Sequence, residues 1–461
     1  MGAVFVLPAR AHAQNAVRQL TLEQARELAL QNNKDITKSK LTIEQTQNDM
    51  RAYKTNFYPR INALVTDFYS TSHGDFSIEG GHLPIYTLNP TTGTYLPNVT
   101  PNADGSYTLN QYADFPSQKI EYKLNNIFLG SLTLTQPLYM GGKIRSAYKM
   151  ASLGANMATE NLRLAESQVL LRTDEAYTQA VRARQLADVA RSYKQLLDEL
   201  MKNVESAVRH GLKERNDILK VQVKLNEAEL SIQRADNATR LATMNLCHIV
   251  GLPLTTALEL RADQFSDDIP VADIVEQSVA RRPESAILQA KTDIAAQQVR
   301  LTRSDYMPQL ALFASGSYVN GVKVGDSKLL NNGAVAVGAM LKVPIVTFGE
   351  RTYKIRSVKA KQQLAQMDQQ DLTEQMLLEL ARATNLYAEA QTEVRLTRNS
   401  LEQAEENMRL ARKQYDVGME PLSQLLDAQA LWQQASADVV NAQCQLQLAH
   451  TQLLKAQGRL K

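Results

Sequence analysis

Residues 169–204 read VLLRTDEAYTQAVRARQLADVARSYKQLLDELMKNV, and the spacing of their apolar positions decides the fold. Val169, Ala176, Ala183, Ala190, Leu197 and Val204 recur every seven residues. A second row, Ala180, Ala187, Met201 and Val208, runs beside it, broken by Lys194. Sustained heptads describe long helices packed along partners, and alanine in the seam lets backbones approach closely. No proline falls between Pro137 and Pro253, so nothing in that stretch breaks a long helix between Gly142 and Gly211. A helix of ~67 residues is about 100 Å long, far longer than an ordinary globular domain holds.

The pattern then repeats. Gly142, Gly211 and Gly251 recur as Gly349, Gly418 and Gly458, each 207 residues later. The second copy carries Met376, Ala383, Ala390, Ala404 and Ala411 in one row, with Thr397 intervening. Leu380, Tyr387, Val394, Leu401, Met408 and Tyr415 make the other. After each central glycine the seam resumes, as Val221, Ala228, Ala235, Ala242, Ile249 and as Ala428, Ala435, Ala442, Ala449, Ala456. The chain therefore reads as an internal tandem repeat. The first copy spans 20–253, the second 271–461, and 254–270 is a linker. Within each copy the order is helix, strand, loop, strand, long helix, turn, helix. The opening helices are expected over 22–57 and 271–306, closed by Tyr58-Pro59 and Met307-Pro308.

The opening helices lie 249 apart rather than 207, so 42 extra residues sit between Pro59 and Gly142. They match the stretch 71–123, rich in Pro, Gly, Asn, Thr and Tyr, which reads as a long loop. The segments flanking the loops alternate with period two. Val335, Val337, Ala339, Leu341 and Val343 form one face against Ala334, Ala336, Gly338, Met340 and Lys342. Such alternation marks strands with one apolar and one polar or small face. Four strands cannot close a barrel, and open edges are not tolerated in lipid. Three copies of the chain would supply twelve strands, an even number in the usual range. Tyr58, Tyr139, Tyr306 and Phe348 flank the strands and fit either an interfacial aromatic girdle or ordinary packing.

Composition narrows the function. Lys and Arg total 51 against 48 Asp and Glu, a net charge of +3, which leaves no footprint for nucleic acid. No apolar run is long enough for a membrane-spanning helix. Gly2 to Leu7 and Ala11-His12-Ala13 read as the apolar core and cleavage site of a signal peptide, so 1–13 is taken as its remnant. The two cysteines, Cys247 and Cys444, fall at different distances past their turns, which argues against a disulfide between them. The six histidines show no ligand spacing, and Gly141-Gly142-Lys143 lacks the rest of a phosphate loop. No enzyme, cofactor or metal site is expected.

With these features together the chain resembles the TolC family of outer-membrane efflux and secretion channels. The resemblance rests on Tyr58-Pro59, on Gln136-Pro137-Leu138-Tyr139-Met140-Gly141-Gly142 and its echo from Val343 to Gly349. It rests also on the helix–glycine–helix turns and on the ending from Asn245 to Pro253. It implies a mainly α fold with a small β part. Three chains form a 12-stranded outer-membrane β-barrel continuous with a long periplasmic α-helical barrel. Its implied partners are two further copies of itself in a homotrimer, a periplasmic adaptor (membrane fusion) protein, an inner-membrane pump of RND or ABC type, and outer-membrane lipid. Small toxic molecules or polypeptides would pass without chemistry. A coiled-coil adaptor or scaffold without a barrel is the rival reading.

The resemblance also implies a gate at the helix turns. Asp427 falls on an aspartate of the family's carboxylate ring, and Tyr415 on the tyrosine of its closing network. Gln424 stands where some relatives carry another aspartate, and Glu420 where some carry a latching arginine. Asp217 occupies the position that receives that latch. Asp217 and Glu420 would repel, so Lys213 or Arg215 compensates, or closure is held differently. Gly211, Leu212, Gly418, Met419 and Pro421 are the implied adaptor contacts.

Overall fold

A computed structural model describes residues 18–261, 279–324 and 327–460. The segments read as a signal-peptide remnant and as the start of the second copy's opening helix, 1–13 and 271–278, lie outside the described residues. Two compact units emerge. One is helical, and the other, comprising 54–144 and 301–351, is built of strands.

In the helical unit the heptad rows are the buried rows. Helices α1 (Leu22–Asn32) and α2 (Lys34–Lys54) precede α3 (Lys143–Arg209) and α4 (Arg215–Val250). Then come α5 (Pro283–Ser304), α6 (Glu350–Asp416) and α7 (Leu422–Ala456). Both α3 and α6 run for 67 residues. Val169, Ala176, Ala183, Ala190, Leu197 and Val204 are all buried, as are Met376, Ala383, Ala390, Ala404 and Ala411. Three apolar clusters result. One joins the ends of α3, α4, α6 and α7 around Leu197, Val204, Val221, Tyr415 and Leu425. Another joins α1, α3 and α4 around Leu20, Val169 and Leu246, and a third joins α5, α6 and α7 around Leu288, Tyr387 and Leu453.

The opening helix is not continuous over 22–57, as the sequence suggested. It breaks at Asn33, whose backbone is extended. Asn33 Oδ1 accepts from the Asp35 amide at 2.8 Å, and its Nδ2 donates to the Ile249 carbonyl at 3.0 Å. The residue thus caps α2 and seals the end of α4. A second interruption precedes α5, where Arg282 is buried against Glu284 at 2.8 Å and Glu379 at 2.7 Å. The linker is not featureless either. Its described part holds β11 (Leu258–Leu260), paired in parallel with β1 (Arg18–Leu20).

A buried ion pair ties α1 to α3 and α7. Asp174 is 0 % exposed. Arg26 donates to it through Nε at 2.8 Å and Nη2 at 2.5 Å, and Thr451 Oγ1 donates at 2.6 Å. The hydrogen bonds to Asp174 raise the Arg26 pKa further above its ordinary value, against the opposing effect of burial.

The strand unit centres on β2 (Arg60–Tyr69), β10 (Gln118–Tyr139), β12 (Gln309–Val324) and β13 (Ser327–Lys342). They are antiparallel in the order β13-β12-β10-β2, with β3 (His73–Ile78) pairing the start of β10. The register sorts the side chains. Ile61, Leu134, Ala314 and Val337 share one row, and Ala63, Leu132, Gly316 and Val335 the next on the same face. The opposite face carries Asn62, Thr133, Ser315 and Ala336, then Leu64, Ser131, Ser317 and Ala334. The period-two reading of this segment therefore corresponds to an apolar face and a small, hydroxyl-rich one. Val335 and Val337 are 84 % and 79 % exposed in the single chain, although nothing in their chemistry favours water. Tyr58, Tyr139 and Phe348 are exposed and Tyr306 is half-buried.

The stretch 71–123 is not an irregular loop. It holds β3, the paired strands β4 (Gly81–Pro84) with β9 (Tyr112–Phe115), and the first residues of β10. Between β4 and β9 sit two small hairpins, β5 (Tyr86–Leu88) with β6 (Tyr95–Pro97) and β7 (Val99–Pro101) with β8 (Tyr107–Leu109). The three stems meet where Asn98 N donates to Ile85 O, Ile85 N to Gln111 O and Asn110 N to Asn98 O, at 2.9, 3.1 and 3.1 Å.

Gly141 and Phe348 occupy matching places where a strand gives way to a helix. Both are left-handed, at φ 62° and 42°. Gly141 has no room for a side chain, since a Cβ would stand 2.6 Å from that of Met307. Phe348 is 98 % exposed and keeps a conformation that a bulky residue adopts only at a cost.

Candidate functional site at the paired helix turns

The gate and docking residues read from the sequence gather where α3 turns into α4 and α6 into α7. Both turns are built alike. The amide of Gly211 donates to Val208 O at 3.0 Å and that of Leu212 to Ala207 O at 2.8 Å. Gly418 donates to Tyr415 O at 3.1 Å and Met419 to Gln414 O at 2.8 Å. These are Schellman ends, each needing a left-handed residue, here glycine at φ 76° and 77°. The residue after such a glycine usually folds back onto its helix. Leu212 and Met419 do not, and remain 75 % and 79 % exposed. Pro421 caps α7 from an extended backbone.

Beneath the turns the structure brings Tyr415 and the first turn together. Tyr415 is buried in the apolar cluster of the four helix ends. The Lys213 ammonium lies 4.6 Å from its ring centroid. Burial, reinforced by the carboxylates of Asp217 and Asp416, raises the Tyr415 phenol above its usual pKa. Asp217 is paired with Lys220 at 3.2 Å, within its own helix. Of the two compensating residues considered from sequence, Lys213 thus acts on the aromatic ring. Glu420 is half-buried and donates its amide to Gln414 O at 3.3 Å.

Asp427 and Gln424 are exposed on the first turns of α7. Asp427 has an electrostatic neighbour that the sequence reading missed. Lys224 is raised in pKa chiefly by its hydrogen bond to Glu227, 2.8 Å away, with Asp427 also contributing. A second missed link, Arg412 to Glu199 at 3.2 Å, joins α6 to α3. Each joins residues some 200 positions apart, so no local spacing could have revealed them. Among the described residues no helix is long and apolar enough to cross a membrane, and no three His, Cys, Asp or Glu side chains converge as metal ligands.

Comparison with known proteins agrees with this architecture. The sequence profile of the outer membrane efflux protein family matches residues 25–252 and 274–459. The alkaline protease secretion protein AprF of Pseudomonas aeruginosa is 26 % identical over 313 residues, covering 66 % of this chain and 64 % of AprF. The matched portion is therefore a little under two thirds of that relative. Protein CyaE of Bordetella pertussis is 25 % identical over 342 residues, covering 73 % of this chain and 71 % of CyaE. The outer membrane protein VceC of Vibrio cholerae superposes with a TM-score of 0.74 at 17 % identity, over 95 % of this chain and 96 % of VceC. CusC superposes at 0.75 and 15 % identity, over 97 % of this chain and 95 % of CusC. These structures share the fold, and the profile covers most of the chain: the protein belongs to the outer membrane efflux protein family, whose place is the outer membrane.

Proposed function

We propose that the chain is one third of a passive outer-membrane exit duct. Three copies close a 12-stranded barrel, and their duplicated helices continue it as a tunnel into the periplasm. The observation that carries this reading is the sidedness of the four-stranded sheet together with its open edges. An apolar face of Ile61, Leu134, Ala314 and Val337 belongs against hydrocarbon, yet among the described residues β2 and β13 leave unpaired edges that hydrocarbon does not tolerate. Copies of the same sheet satisfy both. The matched 67-residue helices and the glycines repeated at 207 residues support a tandem repeat. Exposed apolar residues on α4 (Leu219, Val223, Leu230) and α6 (Leu378, Leu396, Leu410) recur at helical spacing, as needed for neighbours in a ring.

In this reading Asp427, Gln424, Tyr415, Glu420 and Asp217 form the periplasmic gate. Gly211, Leu212, Gly418, Met419 and Pro421 present a blunt apolar tip to a periplasmic adaptor, which couples the duct to an inner-membrane pump. Relatives named for protease secretion, AprF and PrtF, favour polypeptides among the cargo. The duct catalyses no reaction. Electron microscopy of detergent-purified protein tests the proposal. A three-fold hollow cylinder is the expected image, and a monomer or solid rod would overturn it.

A further inference from the structure

The strand pair β2 with β10 and the strand pair β12 with β13 share one register. Ile61 stands opposite Leu134, Ala63 opposite Leu132 and Val65 opposite Gly130. In the sequence, Pro59 recurs as Pro308 after 249 residues, and Gly142 as Gly349 after 207. Moving the β2 residues on by 249 and the β10 residues by 207 gives Leu310 opposite Leu341, Leu312 opposite Ala339 and Ala314 opposite Val337. All three pairs are present between β12 and β13. The same holds for each of the ten pairs that β2 makes with β10. A slip of one residue would turn every side chain to the other face, so this agreement is specific. The two hairpins are interchangeable units, and the pairing that joins the first to the second also fits the second to a further first.

Within the chain that joining pair is β10 with β12, antiparallel, with Gly130 opposite Tyr318 and Leu134 opposite Ala314. Among the described residues β2 and β13 each leave one edge unpaired. Val65, Tyr69, Val337 and Leu341 on those edges are all exposed in the single chain. The same two offsets carry β10 onto β13 and β12 back onto β2. Gly130 and Tyr318 become Val337 and Tyr69, and Leu134 and Ala314 become Leu341 and Val65. We infer that β13 of each copy pairs antiparallel with β2 of the next in this register, Val337 opposite Tyr69 and Leu341 opposite Val65. The inference rests on the barrel proposed above and fixes that barrel's stagger. The row that leaves Ile61 through Leu134, Ala314 and Val337 arrives on the next copy at Tyr69, eight residues further along β2. An even climb keeps the apolar face continuous across the junction, as closure requires. The equivalence is one of strands and stops short of the turns. Phe348 carries a side chain where Gly141 has no room for one, so the turn after β13 does not repeat the packing of the turn after β10.

Disulfide trapping in the full-length protein reads the register. The background carries Cys247→Ala and Cys444→Ala, which removes the two native thiols. V65C is combined in turn with A339C, L341C and V343C, three exposed positions two residues apart. Y69C with V337C samples the same register at a second height. Directly opposed residues lie within disulfide reach, whereas partners displaced by two residues stand about 7–8 Å apart. Within one chain the two edges are separated by three strand spacings, about 14 Å, so any disulfide joins two copies. Outer-membrane fractions are oxidised briefly, and covalent dimer and trimer are followed on non-reducing gels. V65C/L341C and Y69C/V337C should trap several-fold faster than V65C/A339C or V65C/V343C. Faster trapping of either displaced pair, or no trapping of any pair, overturns the register. Native mass spectrometry of wild type and of the reduced variants measures assembly separately. Trimers that trap only a displaced pair, or none, overturn the register and leave the duct standing. Wild-type protein found only as a monomer overturns both.

Discussion

The Lys213 ammonium lies over the Tyr415 ring at 4.6 Å, joining the turn after α3 to the end of α6. A cation over a partly desolvated aromatic contributes about 0.5–2 kcal/mol. If the turns form the closed end of a duct, this contact favours closure. Lys213→Met should therefore raise channel opening by roughly 2- to 30-fold, the equilibrium equivalent of that energy. Tyr415→Phe keeps the ring and should open far less. Single-channel recording in planar bilayers reads both, and equal opening by the two variants would transfer the role from the ring to the hydroxyl.

Tyr415 also sets a pH response. Its folded pKa is raised, by burial first and then by Asp217 and Asp416. A raised value means the protonated phenol is favoured in the folded state. The stabilisation is full below the ordinary phenol pKa near 10 and is lost as pH climbs through the folded value. Thermal melts from pH 8 upward should show wild type losing stability more steeply than Tyr415→Phe at the alkaline end. Parallel curves would count against the buried phenol as the cause.

The heptad rows were legible because a seven-residue period survives any tertiary context, and the apolar face of the sheet because period two does. Other features needed the structure. Asn33 breaks the opening helix, and its cap on Asp35 is a local signal that Asn-Lys-Asp carried in plain view. The stems around Asn98 were hidden because strands of three residues carry no measurable period. At the turns, Asp217 pairs with Lys220 within its own helix, a partner that the reading of Asp217 against Glu420 did not include. Lys213 meets the Tyr415 ring, and Lys224 feels Asp427 besides its own Glu227, across from the other turn, which no one-dimensional pattern specifies.

Asp174 should be the most sensitive polar position of the helical unit. It accepts from Arg26 twice and from Thr451 once while fully buried. Breaking such a pair costs on the order of 3 kcal/mol, because the remaining charge loses its partner. Asp174→Asn should lower the unfolding free energy, read from denaturant titration, by that amount, and Thr451→Val by about 1–2 kcal/mol. Replacing Arg26 and Asp174 together with Met and Leu should recover much of the loss. A double variant as unstable as Asp174→Asn would mean that packing volume, not charge, sets the cost.

Cys444 provides a probe of the helix core. Burial pushes its thiol up to about 11, and it and Cys247 are both buried and free. The thiolate is the reactive species, so at pH 8 the folded protein should alkylate at least about 100-fold more slowly than the denatured chain. Mass spectrometry after a short iodoacetamide pulse measures this. Rapid labelling of Cys444 under native conditions would show that α7 leaves its packing readily.

Val337 and Ala336 are sequence neighbours on opposite faces of β13, which makes them a matched test of which face meets lipid. Val337 shares its row with Ala314, Leu134 and Ile61, and Ala336 shares its own with Ser315, Thr133 and Asn62. A lysine on the lipid face near mid-membrane costs about 2–4 kcal/mol, while one in a water-filled lumen costs little. Val337→Lys should therefore reduce assembled protein in the outer-membrane fraction several-fold. Ala336→Lys should assemble normally and shift the reversal potential toward anions, since it adds one positive charge per copy to the conduit wall. A sheet lying on the surface of a soluble scaffold would tolerate Val337→Lys, because that side chain is already exposed in the single chain. The opposite ranking, with Ala336→Lys the defective variant, would turn the sheet inside out and require the hydroxyl rows to face something other than water.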